Sequence, residues 1–576
     1  MSGLPSAHPN PNKSDPLSSR SGRRGGQSIP LIYFIAILTS FILSYSAALR
    51  ATVINPDAIC YLYSAALLAK ASLYSAMHLC PQAAWPFYSI LIFTVTSLTH
   101  LTYTASAFLL NGFFSAISVA MFIAIVDELG GSVPTMWFAA ITILLAHTFN
   151  ILRLEIIRDH GFWCGYLVSL FFMLRFFRCC IEGEAACHRD DMCHPAHAFS
   201  VGPSAFTQPI ALKRHWVPRF TLRGMTLFYA FLASMSLLIA TLFRIEGVAF
   251  LLLLPLIAWM MPMVAWRSRF QAFILLNVPL IVLLLGLILY WLLSATHTLQ
   301  SFGRVAEIFH HLSHGLSLLM QGYRTMANAI HDYVLPQAGA RDTDLMTWLL
   351  LIIAYVFNVV DNLSFVYAGC ILYAWINKIA HFSVMQSRVM IGYILVNIVV
   401  TFIFFVEHQF LARRYLIALS LVLMLWVPFA LQSICAWGSV KRRVLTMCIL
   451  GFIVLTSLGG LFHFGHSKIY IREAGDWLAH TVPSTARLYT NDYQLMYYSQ
   501  HFKEGIFKQW DAYHDLTTTL ATDVKQYDYL ALLINREERV SKMQMLQSIA
   551  MLPIKVFEDG RGDGVYIYRV GQERKQ

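Results

Sequence analysis

Long apolar segments recur along most of this chain, and each is long enough to cross about 30 Å of hydrocarbon as a helix. Hydrophobic residues make up 57% of the 576 residues, whereas charged residues make up only 13%. This balance lies outside the range of water-soluble domains. Because backbone groups in lipid must bond within their own segment, helices are the expected spanning structure. The sequence therefore predicts an α-helical polytopic membrane protein.

About eleven stretches have the length and apolar character of transmembrane helices. Residues 51–88, between the first two stretches, are mixed in character and predict an interfacial helix pair. The stretch 345–376 carries Asp361 and Asn362 near its middle, so it fits either one tilted span or an interfacial helix followed by a span. The predicted spans are 29–49, 102–126, 133–151, 161–177, 224–243, 247–265, 271–294, 347–377, 389–406, 414–434 and 444–463.

The basic residues that give the chain a net charge of +11 fall mostly in short loops between apolar stretches. In such loops they set membrane orientation by the positive-inside rule, so no nucleic-acid partner is expected. Residues 1–28 are rich in Ser, Pro, Gly and Arg, which predicts a disordered cytoplasmic tail. Residues 29–465 are predicted to form the membrane domain. An odd number of crossings from a cytoplasmic start leaves the C-terminus outside.

Charged residues return after His466, and stretches of membrane length end there. Residues 471–482 have the pattern of a helix. Four short runs have the pattern of strands, and the last two of them predict a hairpin. We therefore expect residues 466–576 to form a small soluble α/β domain on the outer side. The predicted strands span 487–490, 529–534, 554–558 and 565–569.

The cysteines divide between the two sides of the membrane. Only Cys60 and Cys80 fall in a loop predicted to face outside; a disulfide can join them, but two unpaired interfacial thiols are the favoured expectation. A second group lies in the cytoplasmic loop 177–223 and matches no standard zinc spacing. Reduced thiols open to lipidation are favoured there, with zinc as the alternative. Its members are Cys179, Cys180, Cys187, His188, Cys193, His194 and His197.

Four polar clusters stand at the ends of predicted spans, where an ionisable residue at membrane depth costs about 2.5 to 3.5 kcal/mol. All four fall on the outer side in this topology. A random scatter of polar loop residues would divide between two faces, so we expect the clusters to form one site. They are residues 55–57, 153–161, 244–247 and 407–415.

The charges in these clusters indicate a type of reaction. A carboxylate can take a proton from an acceptor hydroxyl, and arginines can bind and stabilise a phosphate leaving group. Glycosyl transfer from a lipid phosphate needs both groups. The absence of a Walker loop, a dinucleotide fingerprint and a His-Glu-x-x-His motif argues against nucleotide hydrolysis, dinucleotide chemistry and zinc proteolysis.

The clusters also resemble motifs of the GT-C glycosyltransferases, in the branch of protein mannosyltransferases and lipid A aminoarabinose transferases. Asp57 resembles the first-loop acidic residue of that family, and residues 158–163 (RDHGFW) resemble its second-loop acidic motif. Residues 244–247 (RIEG) are similar to an Arg-Pro-Glu-Gly element of bacterial members, and 410–416 to a Phe-x-x-Arg-Tyr element. Residues 474–478 and 489–492 resemble their external domain. Two positions depart from the pattern: Ala58 replaces a common Glu, and Ile245 replaces proline.

The resemblance implies a GT-C type membrane glycosyltransferase of the bacterial inner membrane, generally inverting, with a periplasmic site and C-terminal domain. Its donor would be a polyprenyl-phosphate sugar, and its acceptor a lipid, glycan or protein. No cofactor is assigned, and a divalent metal is left open. Asp57 would be the catalytic base and Asp159 a second acidic catalytic residue. Substrate or lipid-phosphate binding would fall to Arg158, His160, Arg244, Glu246, Arg413, Arg414 and Tyr415.

Other interpretations of the same residues stay open. Asp57 could cap an interfacial helix, and Arg244 with Glu246 could serve only to neutralise each other. Residues 158–160 could form a solvated turn with a local ion pair. Arg413 and Arg414 could anchor to lipid headgroups, and spacing does not tell which of them points inward. A transporter or lipid flippase is the alternative function, and a non-catalytic assembly protein is a third.

Overall fold

The computed structural model describes residues 28–191, 219–263, 265–293, 305–334, 342–436, 440–462, 468–501, 524–548 and 551–570. The predicted N-terminal tail, apart from Ser28, lies outside these residues, as do Cys193, His194 and His197. The described chain is mostly helical, and the long apolar helices identify it as a multi-pass membrane protein. A sheet of four strands lies near its C-terminus.

The helices follow in chain order. They are α1 (Ser28–Arg50), α2 (Pro56–Lys70), α3 (Leu73–Met77), α4 (Phe87–Thr99), α5 (Tyr103–Glu128), α6 (Val133–Leu144), α7 (His147–Leu152), α8 (Asp159–Asp191), α9 (Arg219–Phe243), α10 (Gly247–Leu253), α11 (Ile257–Met260), α12 (Trp266–Leu293), α13 (Val305–Tyr333), α14 (Thr343–Leu363), α15 (Phe365–Ile376), α16 (Val384–His408), α17 (Arg413–Leu423), α18 (Val427–Ala436), α19 (Val440–Phe462), α20 (Ile469–Thr481), α21 (Tyr493–Tyr498) and α22 (Arg539–Ser548).

Eight helices within the described ranges are long and apolar enough to cross a membrane, fewer than the eleven expected. Several predicted spans are divided. The stretch 133–151 breaks between α6 and α7, and 247–265 contains a 3₁₀ turn at Leu254–Leu256. Shorter apolar helices of 10 to 17 residues account for much of the difference. Helix α4 is apolar as well and was not predicted, because the sequence around it is mixed.

The long stretch 345–376 is two helices that part at Ser364, whose φ is 71°. At the start of α14, Asp344 accepts a hydrogen bond from Tyr323 of α13 at 2.6 Å. At its end, the Asn362 side chain donates to the Arg413 carbonyl at 2.7 Å. Gln409, which follows α16, donates from its side chain to the Gly322 carbonyl of α13 at 3.0 Å. The stretch is therefore two helices, of which α14 is long and apolar enough to cross a membrane and α15 is shorter.

A disulfide joins Cys60 of α2 to Cys80. The expectation of two unpaired thiols was therefore wrong. After α2 the chain turns back through α3, which brings the two Cα atoms to 6.1 Å, within the range that a disulfide spans. A 3₁₀ turn at Pro81–Ala84 follows directly. The bridge fixes this turn against α2, which carries Asp57 in its first turn.

The centre of the bundle is built on α8, which packs against both α5 and α9. Its Trp163 and Tyr166 are almost fully buried. Gly161 faces the Phe243 ring at the end of α9, and a Cβ at that position would collide with the ring. This close approach brings Asp159, the first residue of α8, beside Arg244, the residue that follows α9.

The C-terminal region, residues 468–570, confirms the predicted helix and all four predicted strands. Strands β1 (Leu488–Thr490), β2 (Tyr529–Ile534), β3 (Lys555–Glu558) and β4 (Gly564–Arg569) form one sheet in the order β1-β2-β4-β3. Only β1 and β2 are parallel, and β3 with β4 forms the expected hairpin. Apolar side chains of α20 cover one face of this sheet, and Leu546 of α22 packs on the other.

Candidate functional site

Four charged side chains from four separate stretches of the chain meet in two ion pairs. Arg244 Nη1 contacts Asp159 Oδ1, and Arg414 Nη1 contacts Asp57 Oδ2. Asp57 lies in the first turn of α2 and Asp159 begins α8. Arg244 directly follows α9, and Arg414 lies in the first turn of α17. The predicted clusters therefore converge at one end of the bundle.

The pair formed by Arg244 and Asp159, hereafter the inner pair, is almost fully shielded, with side-chain exposures of 7% and 6%. Glu246 completes it by accepting two hydrogen bonds from Arg244, at 2.6 Å and 3.2 Å. Burial alone would raise the pKa of Glu246, but the Arg244 guanidinium outweighs burial and lowers it to about 2. Arg244 thus contacts two carboxylates and favours the charged form of Glu246.

The pair formed by Arg414 and Asp57, hereafter the outer pair, is more open, with side-chain exposures of 28% and 24%. Gln82, held in place by the nearby disulfide, donates to Asp57 Oδ1 at 3.4 Å. The Tyr415 ring lies between the two pairs, with its centroid 4.5 Å from Arg244 Cζ and 5.4 Å from Arg414 Cζ. The two pairs are therefore parts of a single cluster.

Helix α2 begins with Asn55 at its N-cap position, so Asp57 is not the capping residue. The Asn55 side chain bonds instead to the backbone of the second loop. Its Oδ1 accepts from Ile156 N–H at 2.8 Å, and its Nδ2 donates to the Ile156 carbonyl at 3.2 Å. This two-way bond holds the loop that carries Asp57 against the loop that leads to Asp159.

Arg413 and His160 lie apart from the two ion pairs. Arg413 contacts Asp361 at 3.2 Å, and both side chains are exposed. His160 is buried, with its ring nitrogens 3.2 Å from Ser115 Oγ and 3.0 Å from the Leu152 carbonyl. Of the two adjacent arginines, Arg414 is therefore the one that faces the cluster, and the contacts of His160 fix the start of α8.

Arg158 lies beside the cluster with unused hydrogen-bonding capacity. Its Nη1 is buried and has no hydrogen-bond partner in the described part of the chain. It lies within electrostatic range of Glu246 and of Tyr61. Burial raises the pKa of Tyr61 to about 12. A buried guanidinium with a free N–H group is suited to an anionic ligand.

Glu155 is a site residue that the sequence did not single out. Burial raises its pKa; Arg414 opposes this effect, and Asp159 and Asp57 add to it. Its loop is held by Asn111, which donates to the Glu155 carbonyl at 3.2 Å. Glu155 lies inside the predicted cluster 153–161, but it matches no motif that would have marked it. Only the fold brings it near Asp57 and Arg414, which belong to two other segments.

A small cavity of about 30 Å³ adjoins the cluster. Arg244, Glu246 and Arg414 line it together with mostly apolar side chains of α8, α10, α16 and α17. The volume holds about one water molecule, so a phosphate can enter only if side chains move apart. The residues around it are Phe162, Arg244, Glu246, Phe250, Asn397, Val400, Thr401, Phe404, Arg414, Tyr415 and Ala418.

The three carboxylates of the cluster, Asp57, Asp159 and Glu246, each contact an arginine. Within the ranges that the structure describes, no group of three or more His, Cys, Asp or Glu side chains is placed to hold a metal ion. The Cys and His cluster predicted in the loop 177–223 falls partly outside those ranges. Cys179 is buried, and Cys180 is partly exposed.

No protein-family model matches the sequence, and no curated protein matches it. Among solved structures, the chain is similar to the archaeal oligosaccharyltransferase AglB from Archaeoglobus fulgidus, in complex with an inhibitory peptide and a dolichol-phosphate, at 13% identity and a TM-score of 0.43. That match covers 82% of this chain and 60% of AglB. The chain is also similar to ArnT from Cupriavidus metallidurans bound to undecaprenyl phosphate, at 12% identity and a TM-score of 0.49, over 94% of this chain and 97% of ArnT.

Proposed function

We propose that the chain is a membrane glycosyltransferase of the GT-C type, which moves a sugar from a polyprenyl-phosphate donor to a lipid, polysaccharide or protein acceptor. One observation carries the proposal: arginines and carboxylates from four separate segments converge beside an apolar cavity at one end of a membrane bundle. On the resemblance of its motifs, this end faces the periplasm of a bacterial inner membrane.

The donor phosphate is assigned to the arginines. Arg414 is partly exposed, and Arg158 has a buried N–H group to offer. A phosphate competes with Asp57 for Arg414, because both ligands are anions that make charge-assisted hydrogen bonds. Phosphate binding would therefore separate the outer pair, widen the cavity and free the Asp57 carboxylate. The apolar side chains of α10 and α16 around the cavity offer contacts to the first prenyl units.

The reaction then follows from the two kinds of charge. The acceptor oxygen forms a bond to the anomeric carbon, and the bond from that carbon to the phosphate oxygen breaks. Its electron pair leaves with the polyprenyl phosphate, whose charge Arg414 stabilises. The proton of the acceptor hydroxyl passes to Asp57, the proposed base. Asp159 would hold Arg244 in place beside the departing phosphate, and attack opposite the leaving group inverts the anomeric configuration.

A transporter is the alternative, since charged residues near spans also mark translocation pathways. The two activities differ in their products. A transferase releases free polyprenyl phosphate from a lipid-linked sugar, whichever sugar and acceptor are involved. A transporter or flippase moves its substrate without breaking the bond between sugar and phosphate.

The test uses membranes that contain the protein, supplied with the lipid-linked sugars and acceptor lipids extracted from its source cells. Free polyprenyl phosphate is measured by mass spectrometry over time. We expect release by the wild-type protein and a loss of about 10² to 10⁴-fold in Asp57→Asn, as for removal of a general base. Asp361→Asn is the matched control, because Asp361 pairs with Arg413 outside the cluster. Equal release by membranes with and without the protein would refute the transferase.

A further inference from the structure

The C-terminal region holds the backbone just before Asp57. Tyr498 Oη accepts a hydrogen bond from Ile54 N–H at 2.9 Å. Gln494 Nε2 donates to the Ile54 carbonyl at 2.6 Å. Both side chains project from one helix, α21, so the two polar groups of a single loop residue are bound by a distant part of the chain. Ile54 is itself buried, with 7% exposure.

This contact continues directly into the site. The next residue, Asn55, makes its two-way bond with Ile156, and Asp57 follows two positions later. The segment 54–55 is thus bound on one side by the C-terminal region and on the other by the loop before Asp159. Helix α2 begins immediately afterwards. Holding residues 54–55 in place therefore also sets the backbone position of Asp57.

Helix α21 is short, but its position is well defined. The Asp492 side chain caps it by accepting from Leu495 N–H at 2.9 Å. Gly475 of α20 packs so closely on Tyr498 that a Cβ at Gly475 would collide with it. Gln494 is buried, with 7% exposure. The helix is therefore fixed to α20 and can act as a support for the loop.

We propose that Gln494 and Tyr498 are positioning residues, through which the C-terminal region sets the Asp57 carboxylate opposite Arg414. The proposal rests on the proposed function for its catalytic part only. Neither residue needs to touch substrate. If the loop loosens, the Asp57 carboxylate moves from the place where the acceptor proton is transferred, and a displacement of about 1 Å can lower the rate by about 10²-fold.

The test compares two adjacent tyrosines. Tyr498→Phe removes the oxygen that accepts from Ile54 and leaves the ring, whereas Tyr497→Phe is the matched control. Tyr497 has its ring against Tyr63, at 5.7 Å between centroids, and its hydroxyl 3.4 Å from Thr104. Gln494→Leu removes the second hydrogen bond. Each variant is examined as the full-length protein in lipid nanodiscs, with thermal unfolding recorded to show that it is folded.

The first measurement is hydrogen exchange in the segment 51–57, which needs no substrate. We expect the Ile54 amide to exchange at least about 5-fold faster in Tyr498→Phe, since it loses its acceptor, and at the wild-type rate in Tyr497→Phe. An unchanged exchange rate of the Ile54 amide in Tyr498→Phe would refute the claim that Tyr498 holds this loop. This result does not depend on the protein being a glycosyltransferase.

The second measurement is the rate of polyprenyl-phosphate release as donor concentration varies. We expect kcat to fall about 10 to 100-fold in Tyr498→Phe and Gln494→Leu, with the donor KM within about 3-fold of wild type, because the phosphate is held by arginines that the loop does not carry. A rise in KM with unchanged kcat, or an equal loss in Tyr497→Phe, would refute the positioning role. Absence of release by the wild type would refute the proposed function instead.

Discussion

The inner and outer ion pairs contain the same two residue types but differ in their surroundings. Arg244 and Asp159 are almost fully buried, and Glu246 adds a second carboxylate to the same arginine. Arg414 and Asp57 are about a quarter exposed, with one carboxylate to one arginine. Parting the inner pair would leave a charge buried without a partner, which is costly. Parting the outer pair exposes each charge to water or to an incoming anion at lower cost.

This difference assigns different tasks to the two pairs. The inner pair joins the start of α8 to the end of α9, where the helices already pack closely at Gly161. The outer pair joins α17 to the first turn of α2, whose preceding loop is held by hydrogen bonds to the Ile54 backbone and from the Asn55 side chain. We infer that the inner pair maintains the shape of the site, while the outer pair opens to admit the donor phosphate.

The largest effect is expected from removal of the inner arginine. Arg244→Met leaves Asp159 buried without its partner and should lower the free energy of unfolding by about 3 to 5 kcal/mol. Arg414→Met should lower it by no more than about 1 kcal/mol, because water reaches Asp57. Thermal unfolding of both variants in nanodiscs makes the comparison. Equal losses of unfolding free energy in the two variants would contradict the claim that the inner pair contributes more to stability than the outer pair.

Acid should weaken the contact between Glu246 and Arg244 only at low pH, because the pKa of Glu246 lies below its ordinary value. The pKa of Glu246 is lowered to about 2, from 4.5 when unperturbed. Its contribution to stability is therefore complete above pH 4.5 and is lost as the pH falls towards 2. The difference in Tm between wild type and Glu246→Gln should shrink over that interval. A difference that stays constant from pH 7 to pH 3 would contradict this account of Glu246.

The smallest effect is expected at Glu155, and it has the opposite sign. Its pKa is raised by burial, and Asp159 and Asp57 add to this effect, while Arg414 opposes it, so its charged form costs stability near neutral pH. Glu155→Gln should raise Tm by roughly 1 to 2 °C at pH 7, and the gain should vanish in acid, where Glu155 is protonated. The exposed Glu473→Gln is the control. A lower Tm at pH 7 would show that the charge stabilises the site.

The sequence was sufficient to predict the features that depend on local pattern. Apolar length located most of the long membrane helices, and alternation located all four strands. It could not tell Arg413 from Arg414, because adjacent helical residues point about 100° apart and only packing of α17 decides which one faces inward. The two-way bond of Asn55 with Ile156 joins residues 101 positions apart, and no local signal marks such a contact.

The same limit explains what was missed around the first loop. A disulfide requires two thiols to meet, and the turn through α3 that brings Cys60 to Cys80 has no strong signature of its own. The support from Gln494 and Tyr498 reaches Ile54 from 440 and 444 positions away. Both features hold the segment that carries Asp57, so the parts of the site that are hardest to predict are those that set the geometry of the outer pair.

The most direct test of the central claim is the affinity of the protein for undecaprenyl phosphate, measured in nanodiscs for Arg414→Ala and Arg413→Ala side by side. We expect Arg414→Ala to weaken binding at least about 10-fold, as for loss of a charge-assisted hydrogen bond, and Arg413→Ala to bind within about 3-fold of wild type. Equal weakening in both variants, or unchanged affinity in Arg414→Ala, would contradict a phosphate site at the outer pair.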